Sequence, residues 1–131
     1  MNVRTSIIKF CLVVCVLIPY TAKAEVENID VNQASKYISS GEYILVDVRQ
    51  AGEFASGHIK GAVNIDYYDD NFSTIFEKQF PDKNKTYILY CRSGARSMYA
   101  ADMLQKLGYK NLKNMQGGIL LWQSVGKDIE K

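Results

Sequence analysis

Cys91-Arg92-Ser93-Gly94-Ala95-Arg96 puts one thiol and two guanidinium groups within six residues. The apolar run Tyr87-Ile88-Leu89-Tyr90 precedes it and a helix-like stretch from Ser97 to Leu107 follows, so the cysteine stands at a strand-to-helix turn. At such a turn, successive backbone N–H groups and a helix N-terminus point at the sulfur. Both lower a thiol pKa, typically into a range of about 3.5–7.5. Arg92 and Arg96 make an anion welcome beside it. The chemistry implied is that of a thiolate nucleophile attacking an anionic substrate.

The other polar residues have to be weighed around that thiol. Gly94 is where the loop can take a positive φ and turn its amides inward. Arg92 has two readings, a contact to the substrate anion or a solvated surface arginine. Arg96 is expected to orient the loop through an acid, Asp47 or Glu53; Asp47, Arg49 and Glu53 are read as structural support. His58 is the sole histidine, so a cysteine–histidine dyad would require it. With no histidine near Cys91 in sequence, activation by backbone amides and a helix dipole is the simpler account. The opposing reading of Cys91 is an inert buried thiol that packs as a small hydrophobe. Its neighbours Arg92, Ser93, Gly94 and Arg96 argue for a turn and against a core strand. Asp66, Asp69 and Asp70 lack a regular ligand spacing and read as a solvated loop, and no metal or organic cofactor is expected.

The N-terminal residues set Cys91 apart from the other cysteines. Arg4 and Lys9 give a positive start, Phe10 to Tyr20 is an uncharged and mostly apolar run, and Ala22-Lys23-Ala24 reads as a small-x-small cleavage signal. Residues 1–24 are therefore expected to be a cleaved secretory signal peptide, its apolar run too short for a transmembrane span; an uncleaved anchor is the competing reading. Cys11 and Cys15 fall in this leader, which leaves Cys91 as the only cysteine of residues 25–131. Such a domain can form no internal disulfide, and without a resolving thiol a dithiol oxidoreductase is disfavoured. Cleavage after Ala24 leaves 107 residues, one domain large enough for its own core, with 13 basic against 14 acidic side chains. That balance makes no electrostatic case for nucleic-acid binding. A monomer with no stable membrane association after cleavage is expected.

The elements that must position the thiol are legible from periodicity. Asn32 to Ser40 reads as a short helix stopped by Gly41, and Tyr43-Ile44-Leu45-Val46-Asp47-Val48 as a strand buried on both faces. Gly52 to Ala55 is at most one helical turn, and Ala62-Val63-Asn64-Ile65 a short strand. Phe72, Ile75, Phe76, Gln79 and Phe80 follow helical spacing up to Pro81; Thr86 to Tyr90 is a second buried strand. Ala100, Met103, Leu104 and Leu107 mark a helix ended by Gly108. Asn111 to Met115 is a last short strand, and Gly117-Gly118 turns into a helix from Ile119 to about Val125. Strands alternating with helices imply an α/β fold with a mostly parallel sheet, in which ligands bind at the carboxyl ends of strands. Cys91 falls at such an end.

Four segments resemble, in order, the signatures of the rhodanese domain, the sulfurtransferase module. They are Asp47-Val48-Arg49 with Glu53-Phe54; Gly57-His58-Ile59-Lys60-Gly61-Ala62-Val63-Asn64-Ile65; the loop Cys91 to Arg96; and Gly117-Gly118-Ile119-Leu120-Leu121-Trp122. The resemblance implies a rhodanese-like α/β fold with helices on both faces of a central sheet. A leader before a single module is similar to the periplasmic phage-shock protein E type. It further implies a double displacement: Cys91 takes the sulfane sulfur of thiosulfate, the amides of residues 92–96 hold the persulfide, and cyanide or a thiol accepts the sulfur. In the family the position of His58 is structural. Protein tyrosine phosphatases, by contrast, place five residues between cysteine and arginine, where this chain has four before Arg96. The shorter loop suits one sulfur atom rather than a phosphoryl group, which disfavours a phosphatase or arsenate reductase. A non-enzymatic sulfur carrier or interaction module on the same fold is the other reading, and the intact loop weighs against it.

Overall fold

The structure is a computed structural model that describes residues 14–19 and 25–131. The expected cleavage signal Ala22-Lys23-Ala24, together with Arg4, Lys9 and Cys11, lies outside the described residues. Strands and helices alternate strictly: β1 (Glu27–Ile29), α1 (Val31–Ser40), β2 (Tyr43–Asp47), α2 (Ala51–Ser56), β3 (Val63–Asn64), α3 (Phe72–Gln79), β4 (Thr86–Tyr90), α4 (Ala95–Lys106), β5 (Asn111–Met115) and α5 (Gly118–Ser124). The five strands form one sheet in the order β1-β5-β4-β2-β3, and every pairing is parallel.

The side-chain period of a strand divides β4 between two cores. Tyr87 and Leu89 pack with Phe72 and Phe76 of α3 and with Ala100, Ala101 and Leu104 of α4. Ile88 and Tyr90 pack on the opposite face with Val31 and Ala34 of α1 and Ile119 and Trp122 of α5. Helices therefore cover both faces of the sheet, and this two-sided cover is why β2 and β4 read as continuous apolar runs. Each buried valine, leucine, isoleucine or phenylalanine among them contributes about 1.5–3 kcal/mol relative to exposure.

Local chemistry sets the ends of the elements. Asp30 caps α1 by accepting the N–H of Gln33 at 2.8 Å, while the Gln33 side chain accepts the N–H of Asp30 at 2.9 Å. Gly41 ends that helix at φ 73°, a conformation that costs glycine little. The helix after the loop begins at Ala95, two residues before the start expected from the sequence, because Gly94 at φ 110° is its N-cap.

The register aligns the carboxyl ends of three strands. Asp47 of β2 sits opposite Tyr90 of β4, and Leu89 opposite Asn114 of β5. Asp47, Cys91 and Asn114 thereby emerge at one edge of the sheet.

Candidate active site

Cys91 follows the last residue of β4, and its chain turns at once into α4. Only 1% of the residue is exposed, and it packs against the α3/α4 core. It is not an apolar burial, however. The Gly94 N–H donates to Cys91 Sγ at 3.1 Å, and the Ser97 hydroxyl lies 3.4 Å from the sulfur. Burial is the largest influence on the thiol and pushes its pKa up. The Ser97 hydroxyl and the backbone N–H groups of Ser97, Gly94 and Ser93 pull it down, and the net direction is down.

The start of α5 backs the loop. The N–H groups of Ile119 and Leu120 donate to the carbonyls of Cys91 at 2.9 Å and Arg92 at 3.1 Å. Those loop carbonyls are held by α5 while the Gly94 amide serves the sulfur. The approach is close enough to demand glycine. A Cβ on Gly118 would lie 2.4 Å from the Arg92 oxygen and 2.5 Å from that of Cys91, at a φ of +58°.

Two arginine–carboxylate pairs flank the site. Arg49 Nη2 bonds Asp47 Oδ2 at 2.7 Å and the Gly57 carbonyl at 2.7 Å, and the Arg49 backbone N–H returns to Asp47 Oδ1 at 2.9 Å. This pair is enclosed, and it ties the end of β2 to the segment that begins at Gly57. Arg96 instead forms a bidentate pair with Glu53, at 2.8 and 2.9 Å, and thereby joins α4 to α2. Tyr68 lies across the same guanidinium, 5.6 Å from ring centroid to Cζ. His58 stacks on Phe54 with ring centroids 3.8 Å apart, its Nδ1 lies 3.0 Å from the Phe54 carbonyl, and its Nε2 lies 3.5 Å from Glu130. Asn64 donates to the carbonyls of Asp47 at 3.0 Å and Arg49 at 2.8 Å.

The sequence profile of the rhodanese-like domain matches residues 30–125, which includes the loop and both arginine–carboxylate pairs. The chain belongs to the rhodanese-like domain family. It is 34% identical over 105 residues to a sulfurtransferase of Allochromatium vinosum, covering 79% of this chain and 94% of that one. With thiosulfate sulfurtransferase 18 of Arabidopsis thaliana it shares 35% over 112 residues, 78% of this chain and 82% of that one. A solved rhodanese-related protein of Thermoplasma volcanium superimposes with a TM-score of 0.62 at 28% identity, covering 79% of this chain and 97% of that one.

Within this rhodanese-like domain the two loop arginines are not equivalent. Arg96 is committed to Glu53, so the loop does not present both guanidinium groups to one anion. Arg92 is exposed and enters no ion pair among the described residues. Ser93 and Ala95 contribute backbone at the mouth of the loop, and both are exposed. Two contributors escaped sequence reasoning. Ser97 is fully buried beside the sulfur, and Asn114 of β5 accepts from its hydroxyl at 2.6 Å. Ser97 carried a signal, since a serine in the first turn of the helix following a nucleophile can turn back on it. Asn114 carried none: its strand also holds Asn111 and Lys113, so one buried asparagine does not stand out there.

Asp66 and Asp69 cap local turns by accepting the N–H groups of Tyr68 and Asn71, each at 2.8 Å.

Proposed function

We propose that this protein is a sulfurtransferase in which Cys91 carries sulfur as a persulfide between a thiosulfate-like donor and cyanide or a thiol. The observation that carries this reading is the set of donors around Cys91 Sγ: the Gly94 amide at 3.1 Å and the Ser97 hydroxyl at 3.4 Å, with α5 holding the adjacent carbonyls away from the sulfur. Donors fixed in advance around a sulfur stabilise an anion there without reorganisation.

In the first half-reaction the Cys91 thiolate attacks the outer sulfur of thiosulfate. A sulfur–sulfur bond forms to Sγ, the bond to the sulfonate sulfur breaks, and its electron pair leaves with sulfite. The outer persulfide sulfur then carries the negative charge beneath the loop amides of residues 92–96. In the second half-reaction cyanide or a thiolate attacks that outer sulfur. Its bond to Sγ breaks and the pair returns to Cys91 as thiolate. No proton need move at the enzyme, which suits a site where His58 is held against Phe54 and Glu130. Arg92 would meet the incoming dianion, while Arg96 and Glu53 hold the loop in shape. Asp47, Arg49 and His58 act behind it as supports.

We propose further, from the leader-like pattern of residues 1–24, that the domain works outside the cytoplasm. It would be exported by a leader of residues 1–24 in the manner of the phage-shock protein E type, and would work as a monomer. N-terminal sequencing of the exported product should start at Glu25; a membrane-bound product that retains Met1 would establish the anchor instead.

The chemistry is tested by the mass of purified protein before and after thiosulfate. A gain of one sulfur, mapped to Cys91 and lost on adding cyanide, is expected, with no hydrolysis of an aryl phosphate. An unchanged mass with an alkylatable Cys91 would overturn sulfur transfer.

A further inference from the structure

A polar chain runs through the interior from the edge of the sheet to the nucleophile. Ser97 Oγ lies 3.4 Å from Cys91 Sγ and 2.6 Å from Asn114 Oδ1, and Asn114 Nδ2 lies 3.0 Å from Asn28 Oδ1. Ser97 has no exposed surface and Asn114 is 3% exposed. Asn28 and Asn114 are register partners across the parallel β1–β5 pair. Buried amides and hydroxyls cost free energy unless they are bonded, so an apolar pair would serve packing better.

A hydroxyl has one hydrogen to give. Ser97 has three acceptors in reach: Asn114 Oδ1, the Gly94 carbonyl at 3.2 Å, and Cys91 Sγ. Turning an asparagine side chain by half a revolution exchanges its donor and acceptor ends. The chain can therefore run in two senses. In one, Ser97 donates to Asn114 and Asn114 to Asn28, which leaves the sulfur without that hydrogen. In the other, Asn28 donates to Asn114 and Asn114 to Ser97, whose hydrogen is then free for Sγ. The second sense suits an anionic sulfur and the first a neutral thiol.

We propose that Ser97, Asn114 and Asn28 are positioning residues: a reversible hydrogen-bond relay that turns its donor hydrogen onto Cys91 Sγ when the sulfur is anionic. The proposal rests on the reading of Cys91 as an anionic nucleophile. It gives the edge strand β1 a share in setting the charge of that nucleophile. The lowered thiol pKa, to which the Ser97 hydroxyl contributes, agrees with this geometry. Of the charged groups on the packed elements, Arg96 in the first turn of α4 interacts with the sulfur and is paired with Glu53 of α2; Arg92 is exposed within the loop, and Asp47 and Arg49 are paired with each other at the end of β2. From β5 and the turn into α5 come only the neutral Asn114, Met115, Gln116, Gly117 and Gly118.

The test is the rate of Cys91 alkylation by iodoacetamide against pH, in the intact chain and in Ser97→Ala, Asn114→Leu and Asn28→Ala. Ser97→Ala should raise the pH midpoint by about one unit, a tenfold loss of thiolate at a fixed lower pH. Asn114→Leu should move it in the same direction by about half as much, and Asn28→Ala by less again but measurably. An unmoved midpoint in Ser97→Ala would overturn the proposal. So would a shift in Ser97→Ala with none in either asparagine variant, because the serine would then act alone. Thermal unfolding accompanies each variant. Should Asn114→Leu fail to fold, Asn28→Ala decides, since Asn28 is exposed on the sheet edge. Alkylation needs neither sulfur donor nor acceptor, so the relay and the sulfur-transfer reading fail separately.

Discussion

Asp47–Arg49 and Glu53–Arg96 are the same chemical pair in two settings. Asp47 is fully buried and the Arg49 side chain 7% exposed, whereas the Glu53 and Arg96 side chains keep 29% and 16% of their surface. The enclosed pair joins residues two apart and fixes the backbone where β2 ends; the open pair joins residues 43 apart and fixes one helix against another. Solvent decides what each is worth. Two charges taken fully from water are stable only together, so loss of one partner strands the other. A pair at the rim is screened and contributes little to folding, yet it controls where the loop sits. Rhodanese signatures that look alike in sequence thus separate into scaffold and site.

The largest effect should come from opening the enclosed pair. Arg49→Met leaves the Asp47 carboxylate buried without a counter-charge and should cost about 3–5 kcal/mol, read from the urea midpoint. A loss below about 1 kcal/mol would erase the distinction between the pairs. Gly118→Ala asks whether backbone contact rivals charge in supporting the loop. Its Cβ meets two loop carbonyls at a positive φ, so a cost of about 1–3 kcal/mol is expected, along with slower alkylation of Cys91.

Glu53→Gln should cost only about 1 kcal/mol of stability, but lower kcat/KM for thiosulfate about tenfold by releasing Arg96. Its acid limb sharpens the comparison. The bidentate bond from Arg96 lowers the Glu53 carboxyl pKa from 4.5 to about 2. A depressed carboxyl pKa gives stability that is present above the ordinary value and lost as pH falls through the folded one. Wild type should therefore lose this contribution between pH 4.5 and about 2, and Glu53→Gln should have none to lose there. Parallel acid-unfolding curves for the two proteins would contradict the assignment. The smallest effect belongs to the arginine without a carboxylate. Arg92→Ala should change stability by less than about 0.5 kcal/mol, while the KM for thiosulfate rises and kcat stays.

The central sheet was legible because burial on both faces writes itself as uninterrupted apolar runs, Ile44-Leu45-Val46 and Tyr87 to Tyr90. The candidate site was legible because a cysteine, a glycine and two arginines at a strand end stand apart from the apolar run before them. β1 was not. It has three residues, only Ile29 is buried, and its partner β5 lies at the far end of the domain. An edge strand so short owes its conformation to pairing and leaves no periodic trace. The choice between Asp47 and Glu53 as partner of Arg96 was likewise open from sequence, because both lie more than forty residues upstream; the fold decides it by enclosing Asp47 with Arg49 and bringing Glu53 of α2 to Arg96. Ser97 and Asn114 were missed as partners because buried polar bonding between a helix and a strand has no sequence spacing.

The pairing of β1 with β5 also has a consequence in time. Glu27 and Lys113, partners across that pair, are 86 residues apart. A ribosome adds about 5–20 residues per second, so β1 waits several seconds before its partner has been made. Closing a loop of that length costs more chain entropy than closing the shorter one between β2 and β4, so this pairing is expected to form after the central strands have paired. Until then Asn28 has no neighbour, and Asn114 lacks its bond to the sheet edge. A nascent chain can hold its loop and its thiol together and still lack the last link behind them: the polar chain from Cys91 through Ser97 and Asn114 to Asn28 is complete only when the two ends of the domain meet.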